Sequence, residues 1–194
     1  MPDFLTSVKR QFRVSRMRGD NLPILVTPPR RDRGRQALAK VLADMGGVRG
    51  VEIGVRVGRS AIAWMDANPQ MHLTCIDPWA GRRHEANFIA AAKNLETYNA
   101  TLLRATSMEA VTRFEDNSLD FVHIDGNHEF DYCCQDIICW SRKLRPGGVM
   151  AVHDYLEFHR AGVVDAVRAY THCHHIDPWF VTRDRLPTAF WQRP

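Results

Sequence analysis

Short apolar runs alternate along this chain with longer segments that are apolar only at every third or fourth position. Runs of the first kind, bounded by turn residues, read as buried strands; the second periodicity reads as helix. Strands are expected at Arg49–Ile53, Met71–Ile76, Ala100–Arg104, Leu119–Ile124 and Val149–Val152. Helices fall between them at Gly58–Ala67, Glu85–Tyr98, Met108–Phe114 and Tyr132–Lys143, and another follows at Val163–Thr171. Trp179–Thr182 and Thr188–Gln192 flank the polar stretch Arg183-Asp184-Arg185-Leu186-Pro187 and read as a hairpin. Strands joined through helices run parallel, so the pattern predicts an α/β protein with a mostly parallel sheet and helices on both faces. The hairpin adds an antiparallel pair at its C-terminal end.

Upstream of this alternation, Phe4, Leu5, Val8 and Phe12 recur at helical spacing between basic residues over positions 3–17. They predict a short amphipathic helix that docks on the domain, on a partner subunit or over a site. Pro23, Pro28, Pro29 and Gly34 mark 19–34 as a loop or linker, and Gln36–Met45 as a helix ended by Gly46-Gly47. The division expected is residues 1–35 as a basic helix and linker, and 36–194 as one domain.

Charge supports that division. Nine Lys or Arg against three Asp up to Arg35 give that segment +6, and the chain as a whole carries +4. A basic arm on a near-neutral domain suits an anionic partner, and equally a solvated helix face. No apolar run is long enough to span a bilayer and no signal-type hydrophobic region opens the chain, so a soluble, cytoplasmic protein is expected. Five cysteines (Cys75, Cys133, Cys134, Cys139, Cys173) without zinc-ligand spacing read as free, packed thiols. His172, His174 and His175 read as a surface cluster.

The candidate chemistry lies where strands end. Open α/β sheets bind ligands at the carboxyl edge of their strands. There the sequence places Glu52-Ile53-Gly54, then Gly58 and Ser60; Asp77-Pro78-Trp79; Ser107-Met108; Asp125-Gly126-Asn127-His128; and His153-Asp154-Tyr155. Gly54 and Gly58 permit close backbone approach to a ligand at a helix N-terminus, but do not complete the three-glycine dinucleotide fingerprint. Glu52 suits a ligand with positive charge. Asp77 suits a ribose diol, or a cap for the next helix. Trp79 suits the flank of an adenine, or the core, and Ser107 and Met108 offer a hydroxyl and an apolar surface to a base. Asp125, Asp154 and a nearby histidine can hold a divalent ion and handle a proton, although each carboxylate could also be a cap. His123 and His153 read as supports of this site.

The segments Val51-Glu52-Ile53-Gly54-x-x-x-Gly58-x-Ser60, Ile76-Asp77-Pro78-Trp79, His123-Ile124-Asp125-Gly126-x-His128 and Pro146-Gly147-Gly148 with His153-Asp154-Tyr155 resemble the class I S-adenosylmethionine-dependent methyltransferases. They are most similar to the small-molecule O-methyltransferases of the macrocin O-methyltransferase group. The resemblance implies a Rossmann-like sheet of seven strands whose last two form the hairpin. It implies cofactor contacts from Glu52, Gly54, Ser60, Asp77 and Ser107, with Gly58, Trp79 and Met108 beside them. It also implies Mg²⁺ on Asp125 and Asp154, and His128 as general base. Tyr155 stands where catechol-type relatives place an Asn, so the third metal ligand differs.

The expected activity is transfer of a methyl group from S-adenosylmethionine to a hydroxyl of a small molecule such as a sugar or glycosylated natural product. A nucleic-acid methyltransferase using the basic arm is the alternative, without an Asn-Pro-Pro-Tyr-type motif to support it. A non-catalytic nucleotide-binding module is a third reading. Few insertions interrupt the core, so a second copy of the chain could help enclose the acceptor.

Overall fold

The computed structural model describes residues 1–15, 22–81, 84–156 and 162–194. The chain opens with α1 (Phe4–Gln11), β1 (Arg13–Ser15) and β2 (Ile24–Thr27), followed by α2 (Gly34–Asp44). Strict alternation then begins: β3 (Arg49–Ile53), α3 (Arg59–Ala67), β4 (His72–Asp77), α4 (His84–Leu95), β5 (Ala100–Arg104) and α5 (Ser107–Val111). It continues with β6 (Leu119–Ile124), α6 (Phe130–Ser141), β7 (Leu144–Val152) and α7 (Val163–Cys173). The hairpin of β8 (Trp179–Thr182) and β9 (Ala189–Gln192) comes last.

All strands join one sheet in the order β1-β2-β8-β9-β7-β6-β3-β4-β5. The pairs from β5 to β7 are parallel, and β9 is antiparallel to both β7 and β8, as the pattern predicted. Among the described residues the sheet has nine strands, however, where the resemblance implied seven. The two additional strands come from the N-terminal segment. Ile24–Thr27, which the flanking prolines placed in a loop, lies parallel to β8, and β1 pairs antiparallel with β2. The prolines bound this strand without falling inside it, so every residue from Ile24 to Thr27 can join the ladder. The helix expected over 3–17 ends at Gln11: Phe12 is already extended, and Arg13–Ser15 is strand. The end of that expectation and the start of the linker, residues 16–21, lie outside the described residues.

Side chains alternate across the sheet with period two. Phe121 faces one core with α1–α4, while Val122 and Ile124 face the other with α5–α7. Phe4 of α1 sits edge-on to Phe180 and Phe190, with ring centroids 5.7 and 6.3 Å apart, so the N-terminal helix is docked on the strands of the hairpin. Among the described residues no helix is long and apolar enough to cross a membrane. All five cysteines are free.

Candidate active site

Strand order reverses between β3 and β6: β4 and β5 extend the sheet one way, β7 the other. At such a point the loops leaving adjacent strands diverge to opposite faces and leave a crevice. Two backbone hydrogen bonds clamp this crevice at its base, Asp125 N to Ile53 O at 2.8 Å and Gly54 N to Ile76 O at 2.9 Å. Gly54 has φ +87°, and a Cβ there would stand 2.1 Å from the Asp125 carbonyl oxygen. The glycine is thus required by the neighbouring chain as well as by its turn. Gly58, also left-handed, caps α3.

Asp77 ties this loop to the end of β4. One of its oxygens accepts from the Val55 and Arg56 amides at 3.1 and 2.9 Å, the other from the Trp79 amide at 2.8 Å. Trp79 turns inward: its indole donates to the Arg56 carbonyl at 2.8 Å and its ring meets Phe88 edge-on at 5.0 Å. Glu52 is fully buried. Parallel register sets it beside His123, and the carboxylate accepts from the Ser60 hydroxyl and lies 3.0 Å from His123 Nδ1. Burial pushes the His123 imidazole below its ordinary pKa, which keeps it neutral.

Above these groups opens a cavity of about 970 Å³, at the upper end of the size of small-molecule and cofactor sites. Of the sequence candidates, Gly54, Ser60, Asp77, Ser107, Met108, Asp125 and His128 line it; Glu52, Gly58, Trp79 and Asp154 do not. Ser107 donates to Asp136 at 2.5 Å and accepts from the Trp140 indole at 2.8 Å. Asp136 also lines the cavity, and burial pushes its carboxyl up to about 6 despite the Ser107 contact.

Asp125 and Asp154 follow the ends of the paired strands β6 and β7. Asp154 takes up a left-handed φ of +54°, rare for a residue with a Cβ. His128 Nε2 lies 3.7 Å from Asp125 and 3.5 Å from Asp154. A ligand atom from each of the three falls within 4.8 Å of the others. His128 Nε2 and Asp154 Oδ1 are buried without a hydrogen-bond partner. The two carboxylates form an oxygen donor pair that fits a divalent cation, and the imidazole beside them can serve either as a third donor or as a base.

His153 organises the pair from below. Arg35, from the first turn of α2, brings its guanidinium to 2.6 Å from His153 Nε2 and 3.7 Å from Asp125. A guanidinium only donates, so His153 Nε2 accepts and the ring proton resides on Nδ1. That atom lies 3.2 Å from Asp125 and 3.1 Å from Asp154, between the two carboxylates. Burial alone would raise the Asp125 carboxyl; its contacts with His128 and His153 outweigh burial and hold it well below the usual range. The Asp125 carboxylate first, then the Asp154 charge, push the His128 imidazole above its ordinary value, against the opposing effect of burial. Tyr155 leans on Trp179, ring centroids 5.9 Å apart.

Two participants, Arg35 and Asp136, were not placed at the site by the sequence, and a third, His153, was placed there only as a support. Arg35 was counted with the basic arm, and its contacts lie about 90 and 118 residues away. His153 was read as a support without its partner or its proton. Asp136 carried a visible signal, a charge among Cys133, Ile137 and Trp140 on the buried face of α6.

A family model that describes a methyltransferase domain matches residues 51–155, the glycine loop through Tyr155. The chain belongs to that family. A curated relative from Sinorhizobium fredii, the uncharacterized protein y4gI, is 30% identical over 115 residues, which are 54% of this chain and 13% of the relative. The chain thus spans a small fraction of that relative's length. Among solved structures, it is similar to the O-methyltransferase TomG from Streptomyces achromogenes, involved in tomaymycin synthesis and in complex with S-adenosylmethionine. That match has a TM-score of 0.63 and 17% identity, over 82% of this chain and 79% of TomG. An O-methyltransferase from Bacillus cereus in complex with S-adenosylhomocysteine gives 0.63 and 15%, over 84% of each chain. An N1-methyltransferase of 1,6-didemethyltoxoflavin from Burkholderia thailandensis gives 0.56 and 11%, over 83% of this chain and 77% of that one. The fold is that of the class I S-adenosylmethionine-dependent methyltransferases, extended by two N-terminal strands.

Proposed function

We propose that this methyltransferase moves the methyl group of S-adenosylmethionine to a hydroxyl oxygen of a small molecule, with help from a divalent cation. The observation that carries this reading is the convergence of Asp125, Asp154 and His128 beside a cofactor-sized cavity at the strand switch. The adenosyl moiety would occupy the cavity between the glycine loop and Ser107-Met108. Asp77, already fixing that loop through the Val55 and Arg56 amides, would present its carboxylate edge to the ribose.

Methyl transfer is an in-line displacement, so its rate depends on holding the acceptor oxygen against the methyl carbon. An alcohol is a poor nucleophile until its proton leaves. His128 would take that proton at Nε2, and the two carboxylates would stabilise the imidazolium formed. His153, held by Arg35, places its Nδ1 3.2 Å from Asp125 and 3.1 Å from Asp154, beside both carboxylates. Asp125 and Asp154 would hold the cation, which when bound would lower the pKa of the acceptor hydroxyl.

The test is formation of S-adenosylhomocysteine from a panel of hydroxylated acceptors, with Mg²⁺ or with excess chelator. Asp125→Ala is expected to lose both metal binding and turnover. His128→Gln is expected to keep metal binding while turnover falls about 100-fold or more, the usual contribution of a general base. Full turnover in chelator would remove the cation from the reaction, and loss of metal affinity in His128→Gln would make this histidine a ligand instead of the base.

A further inference from the structure

Beside the cofactor cavity lies a second one of about 660 Å³, walled by α2, α3 and the turn between β8 and β9. Its lining is unusually basic: Arg33, Arg35, Arg59 and Arg185 face it together, with His153 at the end nearest the carboxylates. Arg35 and Arg59 also line the cofactor cavity, so the two spaces adjoin. One carboxylate, Asp184, shares the wall, but its oxygens already accept from the Gly34 amide at 2.9 Å and the Thr182 hydroxyl at 2.7 Å. Among the described residues Arg33, Arg59 and Arg185 form no ion pair with any acidic side chain. Arg35 Nε is buried without a hydrogen-bond partner.

Like charges do not converge in a concavity without cost unless a ligand of opposite sign offsets their repulsion. Guanidinium groups present paired N–H donors that match the oxygens of phosphoryl and carboxylate groups. Three unpaired arginines supply more positive charge than a single carboxylate would answer, whereas a phosphoryl group carries close to two negative charges. We infer that this second cavity is the acceptor subsite, and that it selects a small hydroxylated molecule bearing a phosphoryl group. The inference rests on the methyl-transfer reading above and names its substrate class. With the phosphoryl group among Arg33, Arg59 and Arg185, the rest of the acceptor extends past Arg35 and His153 towards Asp125 and His128, where a hydroxyl meets the methyl donor. Its volume of about 660 Å³ lies in the range of small-molecule sites.

The experiment is calorimetric titration of inorganic pyrophosphate into the protein saturated with S-adenosylhomocysteine, in a metal-chelating buffer, with citrate as the polycarboxylate comparison. Pyrophosphate is expected to bind, and more tightly than citrate. Arg33→Gln with Arg185→Gln should weaken it by about tenfold or more, while Arg33→Lys with Arg185→Lys, which keeps the charge but not the paired donors, should weaken it less than the Gln pair. Unchanged S-adenosylhomocysteine affinity in both double variants confirms that they are folded; should the Gln pair fail to fold, Arg185→Gln alone, on the hairpin turn, carries the test. No pyrophosphate binding, equal binding in the Gln variants, or tighter binding of citrate overturns the proposal. So does displacement of pyrophosphate by a single-stranded oligonucleotide at lower concentration. Failure of S-adenosylhomocysteine to bind would instead strike the methyl-transfer reading, while the arginine cavity would still be measurable with pyrophosphate alone.

Discussion

Gly54 is the residue on which the site's geometry closes most tightly. Its missing side chain leaves room for the Asp125 carbonyl, and its φ of +87° excludes most alternatives. Gly54→Ala should therefore cost about 2–4 kcal/mol in urea denaturation, since it combines backbone strain with a clash against main chain. A loss under about 0.5 kcal/mol, the scale of neutral surface changes, would mean that the Asp125 turn yields freely. Asp136 offers a prediction of the opposite sign. Its folded pKa, about 6, lies above the ordinary 3.8, so the folded state binds this proton more tightly than the unfolded chain. The associated stability is fully present below the ordinary value and is lost as pH rises through 6. Asp136→Asn, which cannot ionise, should be more stable than the parent at pH 8, by up to about 3 kcal/mol, and nearly equal to it at low pH. A gap in denaturation midpoint that does not widen between pH 5 and pH 8 would refute this. At this scale the sequence disclosed the residues at strand ends, because Asp125 and Asp154 terminate apolar runs that are themselves legible. It hid Arg35, whose role exists only through a contact with His153 that no local pattern encodes.

The N-terminal helix illustrates what can be read of an element. Phe4 and Val8 one turn apart announced an apolar face, and that face is buried. Phe4→Ala should cost about 3–5 kcal/mol by removing a ring packed against Phe180 and Phe190. Far-ultraviolet dichroism across a denaturant series would check it, and a change below about 1 kcal/mol would show that α1 is only loosely docked. Strands β3, β5 and β6 were legible to the residue and β4 to within one, since their apolar runs are set off by turns, but β7 begins at Leu144, five residues before the expected Val149. Ile24–Thr27 was not legible, because four residues between prolines carry little periodicity and their pairing partner, β8, lies far along the chain. Such a strand is defined by what it pairs with.

For the molecule as a whole, alternation of elements predicted a parallel sheet, but the strand order could not be deduced from it. Crossovers that place β3 between β4 and β6 depend on which faces the helices cover, a property of the assembled core. Because the cofactor cavity is formed by loops from several strands, its occupancy should be felt globally. At S-adenosylhomocysteine concentrations about 100-fold above its Kd, unfolding should cost about 2.7 kcal/mol more, raising Tm by about 5–10 °C. The same concentration of NAD should leave Tm unchanged, and a matching shift with NAD would count against the assigned cofactor.

The pairing of β2 with β8 also sets an order of events at the ribosome. Ile24–Thr27 is made about 155 residues before Trp179–Thr182, an interval of about 8–30 s at ordinary elongation rates. Until then the N-terminal segment can meet α2, as Gln11 meets Asp44, but Phe4 and Phe12 lack the rings of Phe180 and Phe190. Emergence of β8 and β9, rather than any earlier step, is what lets this end of the sheet close.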